Sequence, residues 1–288
     1  MKFWILLFAV STLFVACKQV PTKVYQSQPV TSKEAGGGIV ISEKTVILDA
    51  RPAFEYSLAH LNGAIHLRPE DFNQKESPFY GLLDADHFAL ARRLARLGIT
   101  PETPVVVVGK GPQGYGEEGR MAWTLKYLGV KDVKFAAQEH FSLPLSTAEA
   151  PPKQNAPIWK PSEDETLQVS KADFLAQTKK SKTPADAVVI IDVRSSSDYL
   201  GKGGKEAIKT PDIGAINIPW TEFFTAKGLV NPNVKSRLES IGITAERKIF
   251  VIAWQGFESA AVTLALRDLG YSKAANFSGG YLQLSSRK

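Results

Sequence analysis

One pattern occurs twice in this chain, and that duplication limits its possible folds more than any other feature. An apolar run closed by an acid and an arginine, Val46-Ile47-Leu48-Asp49-Ala50-Arg51 with Glu55-Tyr56 behind it, returns as Val189-Ile190-Ile191-Asp192-Val193-Arg194 with Asp198-Tyr199. Gly63-Ala64-Ile65-His66-Leu67 returns as Gly214-Ala215-Ile216-Asn217-Ile218. Leu97-Gly98-Ile99-Thr100-Pro101-Glu102, ahead of the run Val105–Val108, is answered by Ile241-Gly242-Ile243-Thr244-Ala245-Glu246 ahead of Ile249–Ile252. Trp123–Gly129 is answered by Leu264–Gly270. The pairs keep their order, so one structural unit is used twice.

Within each unit, short continuous apolar runs bounded by turn residues read as buried strands. Between them lie amphipathic segments such as Phe88–Leu97, with Phe88, Ala91, Leu94 and Ala95 on one helical face. Strand alternating with helix predicts an α/β fold, each copy a mostly parallel sheet flanked by helices. With 288 residues, 44% hydrophobic and 22% charged, the chain can bury two cores, which excludes wholesale disorder, collagen and coiled coil. The copies span residues 39–141 and 167–288. Residues 142–166 between them carry Pro144, Pro151, Pro152, Pro157 and Pro161 and read as a linker, with Trp159 as a packing anchor. A net charge of +6, spread thinly, predicts no nucleic-acid partner.

Residues 1–17 open with Lys2, continue through the apolar run Phe3–Val15 and end in Ala16-Cys17. The run is far shorter than a bilayer-spanning helix and reads as a secretory signal. A small residue followed by Cys resembles the lipobox of bacterial lipoproteins. That resemblance implies cleavage before Cys17, lipidation of its sulfur and a place in the bacterial cell envelope. With Lys18 next, it implies the outer membrane, facing periplasm or surface. Residues 18–38 then read as a flexible tether. Cys17 is the one cysteine of the chain, so the folded body has no disulfide, cysteine-based zinc site or thiol nucleophile.

The Asp-x-Arg strand ends, the segment His60-Leu61-Asn62-Gly63-Ala64-Ile65 and the strand–loop–helix closing in Leu-Gly together resemble the tandem rhodanese proteins, the thiosulfate and 3-mercaptopyruvate sulfurtransferases. The resemblance implies two rhodanese-like domains, the second with a catalytic loop that begins in Cys and leads into a helix N-terminus. A tight strand-to-helix loop of this kind aims backbone N–H groups at one point and favours an anion or a thiolate there. In the second copy the loop reads Ala253-Trp254-Gln255-Gly256-Phe257-Glu258-Ser259. Setting Gly256 on the family's glycine puts Ala253 where the catalytic Cys belongs and Glu258 where an Arg is common. Ala253 has no nucleophile, and Glu258 would repel an anionic sulfur donor. Ser259 has no His or Lys within the loop to act as its base.

In the first copy the loop is longer and glycine-rich, and Gly109, Lys110, Gly111, Gly114, Gly116 and Arg120 are its candidate ligand-binding residues. Gly109-x-Gly111-x-x-Gly114 matches a dinucleotide fingerprint on its face. The strand sits late in its domain, however, and Glu117 and Glu118 would repel a pyrophosphate. No cofactor is expected. His60, His66, His87 and His140 lack ligand spacing, so no metal is expected either. Asp49 with Arg51 and Asp192 with Arg194 read as structural ion pairs, and Lys202, Lys205 and Lys209 as a solvated loop. These residues weigh against turnover. They predict a catalytically inactive envelope lipoprotein that acts as a binding or scaffolding module, held to the membrane through Cys17 and engaging an envelope protein or a small anion. The alternatives are a sulfurtransferase of the thiosulfate or 3-mercaptopyruvate class, or an anion or small-ligand binder using the loop cradles.

Overall fold

The computed structural model describes residues 38–150, 154–179, 188–202 and 210–286. Cys17, the signal and tether readings up to residue 37, and Lys205 and Lys209 lie outside the described residues. The first unit runs β1 (Val46–Asp49), α1 (Ala53–Leu58), β2 (His60–Leu61), β3 (Ile65–His66), α2 (His87–Arg96), β4 (Val105–Gly109), α3 (Glu117–Leu128), β5 (Val133–Ala137) and β6 (Leu145–Ser146). The second runs α4 (Lys171–Lys179), β7 (Val189–Asp192), α5 (Ser196–Tyr199), β8 (Ile216–Asn217), α6 (Asn233–Ser240), β9 (Ile249–Ile252), α7 (Phe257–Asp268), β10 (Ala274–Asn276) and α8 (Gly280–Ser285).

Both sheets are parallel and share one order, β3-β1-β4-β5 in the first and β8-β7-β9-β10 in the second. The central strands are near-continuous apolar runs, mostly β-branched, because both of their faces are covered, leaving no solvent side for polar alternation. The Asp86 carboxylate caps α2, accepting the Ala89 amide at 2.9 Å, and Gly98 ends it with a φ of +79°. The buried face of α2 is Leu90, Ala91, Leu94 and Ala95. Phe88, expected on that face, is instead 47% exposed, with the Arg92 guanidinium above its ring. Leu90 takes the inward place that Phe88 was expected to fill.

The domains meet through α3 and α7, the equivalent helices of the two copies. Both are buried nearly all round, which explains why neither carries a clear polar stripe. Ala260 and Leu264 of α7 belong to the core of the first domain. At the crossing the backbones are so close that a Cβ on Gly119 would stand 2.3 Å from the Cβ of Ala261, so only glycine fits there. The segment joining the domains is held down where it is described. β6 pairs antiparallel with β2, the Ala148 carbonyl lies 3.0 Å from Nε2 of His60, and Trp159 Nε1 donates to the Ile99 carbonyl at 2.9 Å. Trp159 is thus an anchor onto the first domain.

Candidate functional site

The loops that follow β4 and β9 come together where α3 and α7 begin. In the second, Ala253 is fully buried. Its carbonyl accepts the Tyr281 amide at 3.0 Å, and that of Trp254 accepts the Leu282 amide at 3.1 Å, so α8 clamps the loop. Gly256 caps α7 at a φ of +77°, and a Cβ there would lie 2.2 Å from the Ser278 carbonyl oxygen. Ser259 is buried, and its hydroxyl donates to Asn276 Oδ1 at 2.7 Å. That proton is committed to an amide oxygen with no base nearby, which is the geometry of a structural hydroxyl.

Glu258, one residue further into α7 than Phe257, faces a cleft between the domains. Burial pushes its carboxyl up to about 7, and the charged groups bearing on it, Asp192, Asp198 and Glu117, are all acidic. The helix N-terminus pulls the other way and is outweighed.

The glycine-rich first loop differs from the open cradle expected of it. Its amides are taken by the chain's own carboxylates: Gly111 N–H donates to Glu118 Oε1 and Tyr115 N–H to Glu117 Oε2, each at 2.9 Å. A Cβ on Gly109 would stand 2.1 Å from Glu118 Oε2, and one on Gly114 would stand 2.5 Å from Glu117 Oε2. The glycines therefore make room for buried acids rather than for a ligand. Lys110 is bound to Glu55 at 2.8 Å, and Gly116 packs against the Glu258 backbone as the counterpart of Gly256. Glu117 and Glu118 are both held above the usual carboxylate range, chiefly by burial and for Glu118 also by its neighbour's charge.

Arg120 likewise corrects the expectation of a ligand contact. It is fully buried at the domain boundary, where its guanidinium donates to Asn73 Oδ1 and the Gly81 carbonyl at 2.8 Å and to the Gly256 carbonyl at 3.4 Å. The rings of Trp123 and Phe257 lie 4.8 and 5.6 Å away. Burial pulls its pKa down to about 9, which leaves it a cation at neutral pH.

The cleft itself has a volume of about 360 Å³, within the range of small-molecule sites. The second domain lines it with Trp254, Gln255, Phe257 and Glu258; the first contributes Glu70, Asn73, Gln74, Lys75, Tyr80 and Tyr115. Sequence reasoning missed the first-domain wall, because Glu70–Tyr80 lies in a stretch between β3 and α2 that has no recurring pattern. Glu118 was more accessible, since Gly116-Glu117-Glu118 and Gly256-Phe257-Glu258 put a glutamate at the same place in both copies. The strand-end pairs sit away from the cleft lining and have matching geometry. Arg51 grips Asp49 and Arg194 grips Asp192, each with a closest approach of 2.7 Å. The Arg194 guanidinium also lies 3.9 Å from the Tyr281 ring, tying the strand end to α8.

Comparison with known proteins places these features in a wider set. The profile described as the rhodanese-like domain matches residues 38–138 and 172–287. The thiosulfate sulfurtransferase of Pseudomonas aeruginosa is 26% identical over 244 residues, covering 82% of this chain and 86% of that one. The crystal structure of the 3-mercaptopyruvate sulfurtransferase SseA from Escherichia coli superposes with a TM-score of 0.66 at 21% identity, covering 83% of this chain and 93% of that one. The crystal structure of YnjE gives 0.69 at 18% identity, covering 84% of this chain but only 60% of YnjE. At these identities the solved structures establish the fold alone.

Proposed function

This chain belongs to the rhodanese-like domain family, and from that premise we propose that its interdomain cleft binds a small ligand without transferring sulfur. The observation that carries the reading is Ala253, fully buried at the strand end where the family resemblance places the sulfur-carrying Cys, with Glu258 facing the cleft beside it. Sulfur transfer of the kind that the resemblance implies needs a thiolate that attacks the donor and holds the sulfur as a persulfide. No cysteine occurs after Cys17. An anionic donor would meet Glu258, with Asp198 and Glu117 acting on it in the same sense.

Sulfur transfer is the second reading, favoured by the names of the relatives, and one assay separates the two. The full-length protein is expected to form no thiocyanate from cyanide with either thiosulfate or 3-mercaptopyruvate. Thiocyanate above background that scales with protein and is lost on Glu258→Arg would replace the first reading with the second. Introducing the nucleophile alone is expected to be insufficient. In Ala253→Cys the thiol would take a fully buried position and react with thiol reagents at least about tenfold more slowly than an exposed cysteine.

The proposed setting is the cell envelope, with Cys17 lipidated and the body carried on residues 18–38, near the membrane or an envelope protein partner. Support comes from the apolar run that ends in Ala16-Cys17. Cys17→Ser should move the protein from the detergent-extracted membrane fraction to the soluble one. Unchanged fractionation would remove the anchor from the proposal.

A further inference from the structure

Taking the cleft as a binding site, we propose that its ligand is a small alkylammonium cation, seated between the Glu70 and Glu258 carboxylates against the rings of Trp254, Tyr115 and Tyr80. The inference rests on the binding reading above, and three independent features of the cleft point to it.

The first is the sign of the charge. Glu70 and Glu258 both line the cavity, and Asp198 and Glu117 bear on Glu258 with the same sign, whereas the charge of Asp192 is balanced by Arg194. Cations lie near it too, among them Lys75, Arg120 and Arg68, the last acting on Tyr115 and paired with Asp71. Lys75 lines the cleft but is exposed, its ammonium held on the Glu70 carbonyl at 2.5 Å. Arg120 lies behind the wall, fully buried, with its terminal nitrogens donating to Asn73 Oδ1 and the Gly81 and Gly256 carbonyls and its Nε without a partner. Lys75 keeps its charge and two donors toward solvent, so the case for a cation rests on the two lining carboxylates, Glu258 and Glu70, the latter with an Oε2 that accepts no hydrogen bond.

The second feature is the aromatic wall. Tyr80 and Tyr115 are 41% and 39% exposed and line the cleft together with Trp254 and Phe257, so their rings are open to a ligand there. Phe257 packs beside Tyr115 with centroids 5.9 Å apart, and Tyr115 is fixed by its hydroxyl, which donates to Glu70 Oε1 at 3.0 Å. Ring faces next to carboxylates attract an ammonium group through both the ring quadrupole and the net charge, and such contacts strengthen as water is excluded.

The third is unmet hydrogen bonding. Asn73 is 3% exposed, yet its Nδ2 has no partner, and Glu70 Oε2 is buried without a donor. Both residues line the cleft. Buried polar atoms are normally paired, so one free donor and one free acceptor at a cavity wall describe a ligand that brings both, such as an ammonium with a hydroxyl or carbonyl a few bonds away.

The test is isothermal calorimetry on the full-length protein in mild detergent, with choline and n-butylammonium as probes. The controls are the uncharged isostere of choline, 3,3-dimethylbutan-1-ol, and sodium thiosulfate. At least one cation should bind at least about tenfold more tightly than the neutral isostere, with Glu258→Gln and Trp254→Leu each weakening it by about tenfold or more. The comparison of cation with isostere needs no variant and holds even if a substitution disturbs folding. Neither cation exceeding the isostere would overturn the inference, as would thiosulfate binding more tightly than both. The outcome is separate from that of the sulfur-transfer assay: turnover would refute the reading of lost chemistry, whereas the calorimetry measures directly whether the cleft prefers a cation to its neutral isostere.

Discussion

Replacing Arg120 by alanine is expected to lower the unfolding free energy by about 3–5 kcal/mol, a loss usually reserved for the heart of a core. In sequence the residue reads as a ligand-binding candidate of the first loop, but the second domain packs over it. Its guanidinium is the donor for Asn73 Oδ1, the Gly81 carbonyl and the Gly256 carbonyl, the last of which belongs to the other domain. Truncation leaves these acceptors without that donor inside the protein and opens a void between Trp123 and Phe257. Unsatisfied buried groups cost roughly 1–3 kcal/mol each, and the cavity adds to that. Lysine is not a conservative exchange, since one ammonium lacks the planar fork that reaches carbonyl groups on both sides of the boundary. Urea titration of the wild type, Arg120→Ala and Arg120→Lys measures all of this. Because Arg120 bridges the domains, the variants should also unfold less cooperatively, with lower m-values. A loss below about 1 kcal/mol for Arg120→Ala would mean that water reaches the boundary and the guanidinium is not structurally committed.

The fold could be read from the repeat because the features that specify it are local. Val105–Val108 and Ile249–Ile252 have no polar residue at alternate positions, which marks strands covered on both faces, and both turned out to be central in their sheets. The Asp-x-Arg pairs were legible for a similar reason: two residues apart at a strand end, they can satisfy one another without help from elsewhere. The cleft was half legible. Its second-domain wall follows from the loop register, but its first-domain wall is supplied by Glu70, Asn73 and Tyr80, which reach the site only through the packing of α3 on α7. The same packing inverted the meaning of the first loop. Glycines in series after a strand suggest a space left for phosphate, and here that space is filled from below by Glu117 and Glu118. Composition could not distinguish an empty cradle from an occupied one, because the occupant is part of the same short segment.

Those buried acids should make the protein less stable as pH rises, the reverse of what salt-bridged carboxylates do. Glu117, Glu118 and Glu258 each have a pKa raised in the folded state, with Glu258 at about 7. A group with a raised folded pKa binds more protons folded than unfolded between the two values. Its contribution is therefore fully present below the unfolded value of about 4.5 and drains away as pH climbs through the folded one. For this protein the window opens in the ordinary carboxylate range and extends through neutral pH. A tenfold change in an acid dissociation constant corresponds to about 1.4 kcal/mol, so the combined fall between pH 5 and 8 should amount to a few kcal/mol. Glu118 is the sharpest test, because one oxygen accepts the Gly111 amide while the other is buried with no partner. Glutamine keeps the accepting oxygen and mimics the neutral acid. Glu118→Gln should accordingly match the wild type at pH 5 and exceed its unfolding free energy by about 1–3 kcal/mol at pH 8, as read from urea titrations at both values. Parallel wild-type and variant stabilities across that range would show that the Glu118 carboxyl keeps its ordinary ionisation in the fold. The same sign governs the cleft. Ionising Glu258 weakens the fold but creates the charge that an ammonium ligand needs, so a bound cation should recover part of the stability lost above pH 7, with the protection growing as pH increases.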